Sequence, residues 1–195
     1  MVLAYHLVWT AYGWWLPNDP RGSTSRSIAS DVIAELGALH YGRKKVQPAS
    51  REIQRFYERA EEVLKFPLLR FSPAECAAIG AGFRRVIADC RYTCYACAIM
   101  PDHVHVLIRK HRDLAEQMIE NLKRGSCEAV IDLGKRRSDH PVWGGPGWKV
   151  FLDSVEDIRR TVRYVDANPT KARLPAQSWN FVTAYDGWPF HGRRK

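Results

Sequence analysis

Met100-Pro101-Asp102-His103-Val104-His105-Val106-Leu107-Ile108 is the stretch that decides the fold. Side chains of a strand alternate between its two faces. Val104, Val106 and Ile108 therefore point one way, into a core, while His103 and His105 point the other way, one repeat apart. Pro101-Asp102 marks a short turn. The residues before it, 92–100, read as the partner strand of a hairpin, with 103–109 as its second arm.

Outward from that hairpin, strands alternate with helices. Leu3-Ala4-Tyr5-His6-Leu7-Val8-Trp9-Thr10 is rich in strand formers. Pro17-Asn18-Asp19-Pro20-Arg21-Gly22-Ser23 is turn chemistry and predicts a loop. Ile53, Phe56, Tyr57, Ala60, Val63 and Leu64 keep helical spacing over 50–66, with Arg51, Arg55 and Arg59 on another side. A second helix opens at Ser72-Pro73-Ala74-Glu75: Ser72 can cap, Pro73 suits the first helical position, and Glu75 completes a capping box. It runs to about Cys90. A third covers about 113–132 with Asp113 as its cap. Gly134 to Gly147 is a Gly- and Pro-rich loop, and Trp148–Leu152 is a short strand. A last helix starts after Asp153 or Ser154 and is expected to end near Asn168, because Pro169 disfavours helical geometry before it.

That order predicts an α+β domain with a ferredoxin-like, RRM-like palm: an antiparallel sheet with helices on one face. The chain reads as a single domain over 1–195. A helical insertion is expected at about 26–70 and a tail at about 175–195.

Thirty Lys and Arg exceed 21 Asp and Glu, a formal charge of +9. Such an excess suits a polyanionic partner through counterion release, although a basic protein without one has the same balance. Five Cys, no signal-like start and no apolar run of membrane length point to a cytoplasmic protein with reduced thiols. Cys94 and Cys97, three apart in a strand, are expected on opposite faces, which argues against a shared zinc ion.

Between Val155 and Asn168, the residues Val155, Ile158, Val162 and Val165 form an apolar stripe. At about 100° per residue, Tyr164 lies roughly 140° from the centre of that stripe. It shares the polar side with Asp157, Arg160 and Asn168, and Asn168 stacks one turn beyond it. Two strand histidines can share a metal ion. Taken singly, each feature also has an ordinary reading: hydrogen-bonded surface histidines, and an exposed Tyr with a helix-ending Asn. Together they fit phosphodiester transfer by a tyrosine. A phenol, with a free pKa of about 10, must be aimed at phosphorus, and the phosphate's developing charge needs a cation.

These motifs resemble the HUH single-tyrosine transposases, in particular their REP-associated branch. The resemblance lies in Met100-Pro101-Asp102-His103-Val104-His105 and in Tyr164-Val165-Asp166-Ala167-Asn168-Pro169. Tyr12-Gly13-Trp14-Trp15-Leu16-Pro17 and Arg21-Gly22 add to it. Ala172-Arg173-Leu174 depart from the Gly that family members often carry after Asn-Pro. The resemblance implies that His103, His105 and Asn168 hold Mg²⁺ or Mn²⁺, with the Tyr164 helix laid against the histidine face. Tyr164 would cleave single-stranded DNA through a 5′-phosphotyrosine and then rejoin it. A DNA hairpin would be the partner. The protein would act as a monomer, or as a homodimer with the tyrosine serving the partner's histidines, in the bacterial cytoplasm.

Arg160, Arg163, Lys123, Arg124, Lys171 and Arg21 are candidate DNA contacts, as is the run Lys135-Arg136-Arg137. Trp14 and Trp15 suit either base stacking or the core. The same holds for the tail's Trp179, Phe181, Tyr185, Trp188 and Phe190, where His191 and Arg193-Arg194-Lys195 add charge. Two other readings compete. A non-enzymatic RRM-like module would show aromatics on its central strands. A zinc hydrolase would need a carboxylate base, for which Asp102 is the nearest group.

Overall fold

The computed structural model describes residues 1–23, 25–42, 44–134 and 139–189. Within them the chain runs β1 (Ala4–Thr10), α1 (Asp31–Ala34), α2 (Ser50–Val63), α3 (Pro73–Asp89), β2 (Cys94–Ile99), β3 (His103–Arg109), α4 (Ala115–Ile131), β4 (Trp148–Leu152) and α5 (Val155–Lys171). The four strands form one sheet in the order β2-β3-β1-β4, and each neighbouring pair is antiparallel. This is the expected α+β palm. No described helix is long and apolar enough to cross a membrane.

Strand alternation divides the core in two. Leu7, Trp9, Val104, Val106 and Ile108 pack with Ile79, Phe83 and Ile87 of α3 and with Met118, Ile119 and Leu122 of α4. Ala4, Ala96, Ala98 and Leu107 face Ile158 and Val165 of α5 on the other side. The capping box of α3 forms as its sequence predicts, with Ser72 and Glu75 exchanging bonds. α3 and α4 meet at Gly82, where a Cβ would come within 2.6 Å of the Gly125 carbonyl oxygen; only glycine allows that approach.

Three local expectations are corrected. α4 is capped at Leu114, not Asp113: the Gln117 side chain accepts from the Leu114 N–H, while Asp113 accepts from the Tyr92 hydroxyl. α5 does not stop near Asn168; it continues through a buried Pro169 to Lys171. So close to the helix end, proline forfeits one backbone bond, to Val165, and its burial compensates. The last turn still closes, with the Ala172 and Leu174 N–H groups donating to the Pro169 carbonyl. Finally, Cys94 and Cys97 lie in the same core, because the β2–β3 register shifts between Cys94 and Ala96. A bulge inserts one residue and resets the alternation. Both are free thiols that burial pushes up, Cys94 to about 12.

Residues 26–70 hold α1 and α2, and Phe56, Tyr57 and Ala60 of α2 join the α3–α4 core. Arg51, Arg55 and Arg59 stay exposed. The tail closes the outer edge of β2. Gln177 accepts from the Ile99 N–H and donates to its carbonyl, at 2.8 and 2.7 Å, and the Thr183 N–H bonds to the Cys94 carbonyl. Trp179 packs where a Cβ on Gly80 would stand, and Tyr185 and Trp188 pack in the α5 core. Lys135-Arg136-Arg137, Phe190, His191 and Arg193-Arg194-Lys195 lie outside the described residues.

Candidate active site

The antiparallel register pairs Thr10 with His103, Val8 with His105 and His6 with Leu107. β1 thereby adds a third histidine to the face that carries the pair. The His103 and His105 ring centres are 5.0 Å apart. α5 crosses this face and brings the Tyr164 ring to 5.6 Å from His105 and 6.1 Å from His6. The phenol and the imidazoles thus meet within one chain, although Tyr164 follows His105 by a whole helix, loop and strand. Tyr164 is 45% exposed, so its ring is open to solvent.

Hydrogen bonds assign a use to each imidazole nitrogen. His105 Nδ1 lies 3.0 Å from His6 Nε2, and His103 Nδ1 lies 2.6 Å from Asp102 Oδ1. Burial lowers His6 to about 4; burial, then the charges of His103 and His6, lower His105 to about 2. Both are therefore neutral near pH 7, and one proton serves the bond between them. If His105 donates it, His105 Nε2 keeps a free lone pair; His103, donating to Asp102, does the same. Burial raises the Asp102 carboxyl, but the hydrogen bond and charge of His103, aided by Arg70 and Arg21, hold it below its usual range. It accepts as a carboxylate. Outer partners of this kind fix the tautomer of metal-ligating histidines.

Asn168 stands one turn after Tyr164 on α5, and its amide nitrogen is buried with no hydrogen-bond partner. Turning the amide over exchanges nitrogen for oxygen in the same space, which puts an acceptor in that buried position. Among the described residues no cluster of three or more His, Cys, Asp or Glu is arranged to hold a metal. The histidine pair itself leaves two imidazole Nε2 atoms without a hydrogen bond on this face. Continuation of α5 past Pro169 also carries the Lys171 ammonium to 5.7 Å from the Tyr164 ring centre.

The other basic candidates are spread more widely. Arg160, one turn before Tyr164, is exposed and pairs with Asp157. Arg163 lines a shallow cavity with Tyr95, Arg159, Val162 and Asp166. Lys123 is largely buried and donates to the Gly144 and Gly145 carbonyls, beside the end of β1, and Arg124 bonds to Asn121. Arg21 is engaged by Asp19, its Nε and Nη2 donating to the two carboxylate oxygens at 3.0 and 2.7 Å.

His6 is the residue that reasoning from sequence missed. Its one local signal is parity: Ala4, His6, Val8 and Thr10 form the less apolar set of β1. Its partner is set by strand pairing, which no local pattern encodes.

No family model and no curated protein matches this chain. The structure is similar to that of a REP-associated tyrosine transposase. That protein was solved bound to a REP hairpin; the similarity covers 96% of this chain and 74% of that one, at 14% identity and a TM-score of 0.44. A candidate transposase from Deinococcus radiodurans R1 is also similar, over 90% of this chain and 94% of its own, at 12% identity and a TM-score of 0.39.

Proposed function

We propose that this chain is a metal-dependent endonuclease and strand transferase for single-stranded DNA, with Tyr164 as its nucleophile. One observation carries the reading: an accessible phenol on α5 lies 5.6 Å from His105, itself 5.0 Å from His103, on a face otherwise built for packing. In the cleavage step the Tyr164 hydroxyl oxygen bonds to phosphorus and gives up its proton. The bond from phosphorus to the 3′ oxygen breaks, and that oxygen leaves as a 3′-hydroxyl. The phosphotyrosine conserves the bond energy, so a second strand's 3′-hydroxyl can reverse the step without ATP.

His103, His105 and Asn168 would hold a divalent ion, which supplies positive charge to the non-bridging oxygens. Asp102 and His6 orient the two imidazoles. Lys171 brings a further positive charge beside the phenol. Arg160 and Arg163 flank Tyr164 on α5 as phosphate contacts for the strand, and a hairpin next to the cleavage position is the expected recognition element. Lys123 and Arg124 lie along α4 for a longer DNA path. The tyrosine acts on its own chain's histidines, so a monomer suffices. A non-enzymatic RRM-like module needs an open sheet face bearing aromatics; here α5 lies over that face and its central strands carry histidines.

The test is adduct formation on a pool of single-stranded hairpin oligonucleotides, resolved on denaturing gels. Wild-type protein with Mn²⁺ should yield a covalent protein–DNA band. Tyr164→Phe, or chelation of the metal, should remove it while leaving DNA binding intact. A band of normal yield from Tyr164→Phe refutes the assignment.

A further inference from the structure

We propose that Trp15 is a stacking platform for an unpaired nucleobase of the strand at the histidine site, an inference that rests on the reading above and extends it to substrate binding. The adjacent indoles Trp14 and Trp15 have opposite fates. Trp14 is buried, donates to the Leu69 carbonyl at 2.7 Å and packs 4.5 Å from the Tyr57 ring. Trp15 remains 36% exposed, and its ring centre lies 5.7 Å from that of His103.

Trp15 also holds a left-handed backbone, with φ of 52°, which a bulky residue adopts only where its surroundings enforce it. The enforcing groups are identifiable. The Trp15 N–H donates to the Tyr57 hydroxyl at 3.0 Å, and that hydroxyl donates to the fully buried Asp19. Burial pushes the Tyr57 phenol far above its usual range, so it stays a donor. Arg21 neutralises Asp19, donates to the same hydroxyl at 2.7 Å and lays its guanidinium 3.9 Å from the Trp15 ring centre. α2, through Tyr57, thus braces the loop that presents Trp15.

A tryptophan needed only for packing would follow Trp14 inward. This one is strained, braced, backed on one face by a cation and left accessible beside a candidate metal ligand. Base stacking on such an indole is tolerant of sequence but requires a base free of its own stack, which selects a single strand over a duplex.

The test uses the full-length chain and two fluorescent probes of equal length, an oligothymidylate single strand and an abasic strand, in binding titrations. Trp15→Ala should weaken thymidylate binding by about tenfold and leave abasic binding unchanged, while Trp15→Phe should retain most of the affinity. Trp15→Gly removes the ring and relaxes the left-handed backbone, so its loss of thymidylate affinity separates the ring's role from folding. The proposal is overturned if Trp15→Gly binds thymidylate like wild type, if both probes weaken equally, or if wild type binds no single strand. Ring-dependent binding without any covalent adduct would keep the platform and remove the transferase. An adduct-forming enzyme indifferent to Trp15 would do the reverse.

Discussion

The two faces of β3 come from alternate residues of one seven-residue strand, yet they are built on different terms. Val104, Val106 and Ile108 enter a dry core shared with Phe83, Met118 and Leu122. On the other side Leu107 packs with Ile158 and Val165, but His105 and His103 take the neighbouring positions and meet Tyr164. Stability on the first face comes mostly from burial of apolar side chains. The second admits polar groups where partners exist: His6 for His105, Asp102 for His103. The Asn168 amide nitrogen breaks that rule, and it lies one turn from the proposed nucleophile.

The largest effect should come from the dry face. Phe83 is fully buried, and Phe83→Ala should cost about 3–5 kcal/mol in urea denaturation, because the surrounding helices collapse only partly into the cavity. Adduct yield per folded molecule should not change. A loss under about 1 kcal/mol would mean that this core is looser than its burial indicates, and the contrast between faces would fail.

The histidine face should show itself through pH. His6 and His105 ordinarily titrate near 6.5 but are held at about 4 and about 2 in the fold. Below pH 6.5 the unfolded chain takes up protons that the folded chain refuses, so stability falls with acid until the folded values are reached. Between about pH 6.5 and 5.5, the metal-free protein should lose roughly 2 kcal/mol from the two groups together. His6→Phe should remove about half of that slope. It should also weaken Mn²⁺ binding by about 10–100-fold in calorimetry, because His105 loses the partner that fixes its tautomer. Acid stability that is flat in wild type, or unaltered by His6→Phe, would deny that the pair is buried and neutral.

These two experiments also separate what the sequence disclosed from what it withheld. Local patterns were sufficient for the strand parity that sets His103 and His105 apart from Val104 and Val106. They were sufficient too for the capping box of α3 and the polar placement of Tyr164 on α5. The failures occurred where a distant contact overruled local preference. Burial carried Pro169 inside α5, a bulge put Cys94 and Cys97 in one core, and strand pairing enlisted His6. Trp14 and Trp15 could not be told apart until Tyr57, from α2, was seen to pack on one and brace the other.

The smallest effect tests how the histidine face meets its substrate. Arg160 is exposed and pairs only at the surface with Asp157, so Arg160→Ala should change stability by less than about 1 kcal/mol. Its position one turn before Tyr164 gives it a different measurable. If Arg160 holds a phosphate, Arg160→Ala should weaken single-strand binding equally for all sequences. It should also reduce the slope of log affinity against log salt by about 1. Arg51→Ala, exposed on α2, is the matched control for general charge, since removing any surface cation lowers affinity slightly without releasing a bound counterion's worth of salt dependence. Equal slopes for Arg160→Ala and wild type would return Arg160 to the solvated side of α5. Lys171, held by the extra turn beyond Pro169, would then be the basic residue of that helix with a contact to the tyrosine.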